Sequence, residues 1–147
     1  MQSDSFLLGK LRSGGNAFFR ASPTTVPAAG GVPNLPDAVV FDAYSHEVSS
    51  ASFWPGAQGI DYPAFYSYAS PAPPGFSSAS IRPVQAFWSH DLSEYILPYD
   101  AVRTARDPEQ TLMEFLTSTY EAAASAGNWD RAALECPLGV PGKARRV

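Results

Sequence analysis

Hydrophobic and polar positions divide the chain into an unpatterned beginning, an alternating middle and a helical end. In the middle, Ala64, Tyr66 and Tyr68 alternate with Phe65, Ser67 and Ala69. That period of two sends successive side chains to opposite faces of a strand. Residues 47–53 have the same β character. Trp54-Pro55-Gly56 ends that run, because proline cannot donate to a ladder and Pro-Gly favours a turn. The two runs predict one antiparallel hairpin, and 83–88 with 94–97 predict a second across the polar turn 89–93. Between them, Pro71, Pro73, Pro74 and Gly75 predict a loop that Phe76 anchors.

The helical end begins at Asp107-Pro108-Glu109-Gln110. Aspartate suits the N-cap, proline the first helical position, and glutamine at the third closes a capping box. Glu109 complements the positive end of the helix dipole. Leu112, Phe115, Leu116, Thr119, Tyr120, Ala123 and Ala124 then recur every three or four residues, giving one apolar stripe. Ala126-Gly127-Asn128 stops the helix through a left-handed residue. A short helix over 129–135 is expected to fold back, and Asp100 to cap a single turn over 101–105.

Residues 1–36 lack such periodicity. Gly14-Gly15, Pro23, Pro27, Gly30-Gly31, Pro33 and Pro36 interrupt every candidate element, with Ala17-Phe18-Phe19 as a hydrophobic anchor. Asp37 can cap a helix over 38–43, although Val39-Val40-Phe41 also suits a strand. The expected organisation is therefore a poorly ordered arm (1–36), a single α+β domain (37–136) and a tail (137–147). The fold class is α+β: short antiparallel hairpins packed by a C-terminal helix.

Composition narrows the function classes. A formal net charge of −4 and a pI near 5.0 do not supply the basic face that nucleic acid requires, so no nucleic-acid partner is expected. Phe6-Leu7-Leu8 is too short for a signal sequence, and no apolar run reaches membrane-spanning length, so no membrane partner is expected. Cys136 is the only cysteine, which excludes an intrachain disulfide and a CxxC motif and is compatible with a cytoplasmic protein.

Five blocks occur in an order that resembles an uncharacterised bacterial family of unknown function, DUF5996-like. They are Ala43-Tyr44-Ser45-His46-Glu47-Val48, Phe53-Trp54-Pro55-Gly56, Ala64-Phe65-Tyr66-Ser67-Tyr68, Leu97-Pro98-Tyr99-Asp100-Ala101-Val102-Arg103 and Ser118-Thr119-Tyr120-Glu121-Ala122-Ala123. The resemblance covers 31–135 and lies at the family's C-terminal end. It implies a preceding sheet-rich half with an aromatic segment of the kind His-Phe-Phe-Trp-Gly. This chain has Gly15-Asn16-Ala17-Phe18-Phe19-Arg20 there, which reads as a C-terminal fragment with an altered start. The resemblance implies no activity.

Candidate chemistry centres on Tyr44, His46 and Glu47. Imidazole titrates near neutrality and is a common base or ligand, but adjacent strand residues point to opposite faces. A half-buried, hydrogen-bonded histidine is the competing reading. No HExxH or HxH spacing is present, and the residues imply no metal site and no cofactor. Trp54, Tyr62, Tyr66, Tyr68, Trp88, Tyr95 and Tyr99, with His90 as a further ligand-binding candidate, could line an aromatic cleft that stacks a sugar or base; core packing is the alternative. Asp100 and Arg103 either orient an anion or pair at the surface. Two functional readings follow. One is a non-catalytic C-terminal portion that docks a preceding half or self-associates. The other is an enzyme or small-ligand binder using a His-Glu-Tyr site beside the aromatic cleft.

Overall fold

The computed structural model describes residues 17–25, 38, 46–57 and 59–135. Five antiparallel strands form one sheet: β1 (Ala17–Thr25), β2 (His46–Trp54), β3 (Ala64–Ser70), β4 (Phe87–Ser89) and β5 (Glu94–Pro98). Their spatial order is β1-β2-β3-β5-β4. Both expected hairpins are present. They join through the β3–β5 ladder, in which Ala64 opposes Pro98 and Ser67 opposes Tyr95.

Three helices follow: α1 (Tyr99–Arg103), α2 (Pro108–Ala126) and α3 (Arg131–Leu134). The long helix starts as expected, with the Asp107 carboxylate accepting from the Gln110 N–H at 3.0 Å. Only half of the capping box forms, because the Gln110 amide instead donates to the Glu114 carboxylate at 3.1 Å. At the other end, the left-handed residue is Asn128, with φ 52°. Gly127 keeps a right-handed φ of −81°. Its lack of a side chain serves a different purpose: a Cβ there would lie 2.6 Å from the Trp129 indole nitrogen.

α2 covers one face of the sheet. Phe115, Leu116, Tyr120 and Ala123 meet Tyr95 and Leu97 in the core, whereas Leu112 is only half-buried. The proline-rich loop is fastened to the same core by Phe76, which is 1% exposed. Its ring lies edge-on to Tyr95 at 5.2 Å and Trp88 at 5.8 Å. The Tyr95 hydroxyl donates to the Phe76 carbonyl at 2.6 Å. The Ser118 hydroxyl accepts from the Arg82 N–H at 3.0 Å, attaching the next stretch of loop to α2.

Several boundaries differ from the sequence expectation. Residues 17–25, assigned to the arm, pair with β2. The β1–β2 register breaks between Arg20 and Thr25, the interval that contains Pro23. An edge strand tolerates proline there because its N–H side is not needed by a further neighbour. Strand β4 begins at Phe87 instead of 83, since the Ala86 N–H closes a turn onto the Pro83 carbonyl at 2.9 Å. Asp100 sits inside the first turn of α1 and makes no cap. Residues 129–130 precede α3, with Trp129 turned into the core. The expected helix over 38–43 lies outside the described residues apart from position 38, and so do Cys136 and the tail.

Candidate functional site: an aromatic pocket on the sheet

Strand register decides which side chains can meet. Trp54 opposes Ala64, Ser52 opposes Tyr66 and Ser50 opposes Tyr68. Each pair lies on the sheet face opposite α2. Ile96, opposite Tyr66, belongs to the same face. This face carries a half-open cavity of about 250 Å³. Ala64, Ile96, Tyr66 and Tyr68 line it from the sheet, together with Trp54, Ile60, Leu92 and Glu94.

The cavity wall comes from two turns. After β2, Gly56 adopts φ 101°, and a Cβ there would approach the Tyr62 backbone to 3.2 Å. The chain then reverses, with the Ala57 N–H bonded to the Ile60 carbonyl at 2.8 Å. The Trp54 indole N–H reaches the same carbonyl at 3.4 Å. A Cβ on Gly59 would meet a Leu92 methyl at 3.3 Å, so the β2–β3 turn and the β4–β5 turn come close together. Tyr66 and Tyr68 project side by side from β3, their rings 6.4 Å apart and nearly parallel at 9°.

Among the described residues, Glu94 is the one carboxylate lining this cavity. Burial raises its pKa above the usual carboxylate value, and no hydrogen bond or neighbouring cation among the described residues offsets that effect. The uncompensated carboxylate and the aromatic rings together make the pocket a place where a polar group of a ligand would be held against apolar walls.

Of the residues singled out from sequence, the structure brings together Trp54, Tyr66 and Tyr68. Trp88 lies on the opposite face, edge-on to Tyr95 at 5.0 Å. Tyr99 starts α1 and lies 5.8 Å from Phe53 and 6.3 Å from Phe65, again on the other face. His90 is exposed in the β4–β5 turn and does not line the cavity. Tyr44 is outside the described residues.

His46 and Glu47 are separated by the pleat. Val48 opposes Ser70, and Ser49 opposes Ala69, which packs in the α2-side core. Glu47 therefore faces the helices, where it accepts a 2.8 Å hydrogen bond from the Trp129 indole N–H. His46 faces the other way and is half-buried. It opens the nine-residue β2 that Trp54 closes. At about 3.3 Å per residue the two stand about 26 Å apart, so no single small ligand touches both. Asp100 and Arg103 pair with each other at 2.5 Å on the surface. Among the described residues, no three His, Cys, Asp or Glu side chains gather as metal ligands.

Sequence reasoning missed Ile60, Leu92 and Glu94. The available signal was the odd-even position of Glu94: two residues before Ile96, it had to share that residue's face. Ser50 and Ser67 were also unanticipated, for their hydroxyls are buried with no hydrogen-bond partner among the described residues.

The architecture defines an α+β domain with helical cover on one sheet face and an aromatic pocket on the other. The chain belongs to the family of unknown function DUF5996, whose sequence profile matches residues 17–136. No curated protein and no solved structure matches it. No helix among the described residues is long and apolar enough to cross a membrane.

Proposed function

We propose that this chain is a small-ligand-binding domain whose site is the pocket walled by Trp54, Tyr66 and Tyr68 beside Glu94. The observation that carries this reading is a concave aromatic cavity containing a half-buried, uncompensated carboxylate. Its volume of about 250 Å³ is slightly below the ~300–1,000 Å³ of drug-sized sites, so the occupant is small or enters by one end. Among the described residues the lining sets one carboxylate beside Tyr66, Tyr68 and apolar side chains, a composition that favours recognition. The test is a ligand-observed NMR screen of small amines, sugars and aromatic heterocycles against the wild type and Tyr66→Ala. Saturable binders lost in Tyr66→Ala support the site; an empty screen, or binders indifferent to the substitution, would refute it.

A second reading is favoured by a different patch. Phe53 and Tyr99 are 44% and 39% exposed. With Phe65 they form an aromatic cluster whose rings stand 5.2–6.3 Å apart at the edge of the α2-side face. Exposed clusters of this kind mark docking surfaces. The preceding sheet-rich half implied by the family resemblance is the proposed partner, within a longer bacterial cytoplasmic protein. Adding that half as a separate chain should bury Phe53; equal protection of Phe53 from solvent with and without it would exclude the interaction.

A further inference from the structure

We propose that the pocket recognises a methylated ammonium group, with Glu94 as the counter-charge and Trp54, Tyr66 and Tyr68 as the aromatic walls. This rests on the ligand-binding reading above and adds the chemical class of the ligand. The electron-rich faces of tryptophan and tyrosine attract a cation, most strongly where water is excluded. Among the described residues the cavity lining offers three such side chains and a carboxylate, and no lysine, arginine or histidine. A carboxylate in that position repels an anionic ligand. Among the described residues no cation satisfies it, so a bound cation replaces the solvation that burial has removed.

The remaining lining discriminates among cations. A primary ammonium carries three N–H donors and needs several acceptors. Here Ile60, Ala64, Leu92 and Ile96 supply apolar surface, and the Ile60 carbonyl is already directed at the Trp54 indole and the Ala57 N–H. A quaternary or tertiary methylammonium presents methyl groups to these side chains and spreads its charge over them. It leaves few or no donors unpaired. The small cavity suits such a headgroup, with any substituent leaving through the open side.

The experiment is a titration of the full chain with (2-hydroxyethyl)trimethylammonium and with its neutral isostere 3,3-dimethylbutan-1-ol, which replaces the charged nitrogen by carbon. Wild type, Glu94→Gln and Trp54→Ala are compared, with folding checked by circular dichroism. The wild type should bind the cation about tenfold or more tightly than the alcohol. Glu94→Gln should remove most of that preference, weakening the cation far more than the alcohol, and Trp54→Ala should weaken both. Equal binding of the two probes by the wild type, or a preference that survives Glu94→Gln, overturns charge recognition while the pocket itself stands. If neither probe binds but the wider screen finds Tyr66-dependent ligands, the ammonium assignment alone fails. If that screen is also empty, both readings fail.

Discussion

Trp129 donates its indole N–H to the Glu47 carboxylate at 2.8 Å, across 82 residues of chain. The bond fastens the segment after α2 to strand β2, on the face opposite to that of His46. Breaking it from either side should loosen the same join. Trp129→Phe keeps an aromatic ring but deletes the donor, and should cost about 1–3 kcal/mol in urea unfolding, the range for a part-buried hydrogen bond to a charged group. Glu47→Gln, which retains an acceptor, should cost less. Equal stabilities for wild type and Trp129→Phe would show that the bond contributes nothing.

The helix stripe gives a second prediction. Phe115 is fully buried between α2 and the sheet. Phe115→Ala removes the ring's transfer energy and leaves a cavity, so a loss of about 3–5 kcal/mol is expected. Chemical denaturation measures it directly, and a loss under about 1 kcal/mol would contradict tight packing at this position.

Ser67 should behave in the opposite sense. Its hydroxyl is buried in a central strand without a hydrogen-bond partner among the described residues. Ser67→Ala removes a desolvated group and should raise stability by about 1 kcal/mol. A destabilised variant would mean that the hydroxyl is satisfied in solution.

Two ionisable groups set pH signatures. The folded-state pKa of Glu94 is raised by burial. The folded protein therefore holds this proton more tightly than the unfolded chain, and Glu94 makes stability fall as pH rises from the unfolded carboxylate value through the raised one. Glu94→Gln should flatten that segment of the stability–pH curve and be the more stable protein at neutral pH. An unchanged curve would count against the buried carboxylate.

For Tyr120, burial first and then the nearby Glu135 push the pKa up to about 12. The unfolded tyrosine loses its proton near 10, so this group's contribution falls between about pH 10 and 12. Tyr120→Phe should remove that alkaline loss, as followed by thermal melting across the same window.

The division between sequence and structure runs through particular residues. The alternation of Ala64, Tyr66 and Tyr68 against Phe65, Ser67 and Ala69 was enough to predict β3 and its two faces, because the pleat fixes a period of two. The Asp107-Pro108 start and the stripe through Phe115 and Tyr120 likewise fixed α2, whose hydrogen bonds are local. The separation of His46 from Glu47 was implicit in the same pleat. Edge strand β1 was not legible: Pro23 and the surrounding glycines argue locally against a strand, while pairing with β2 supplies a non-local reason for one.

The site was only partly visible for the same physical reason. Nothing local distinguishes Trp54 from Trp88 or Tyr66 from Tyr99; all are aromatic residues in or beside strands. The β3–β5 register and the side of the sheet taken by α2 make the difference, sending Trp88 and Tyr99 to one face and Trp54, Tyr66 and Tyr68 to the other. The same register brings Glu94 alongside the tyrosines, and the approach of Gly59 to Leu92 joins two turns distant in sequence. Sequence by itself determined β2, β3, β5 and α2, since their signals are periodic and local. Only the tertiary structure decided which aromatic residues became core and which became a pocket, because that depends on contacts between strands and helices far apart along the chain.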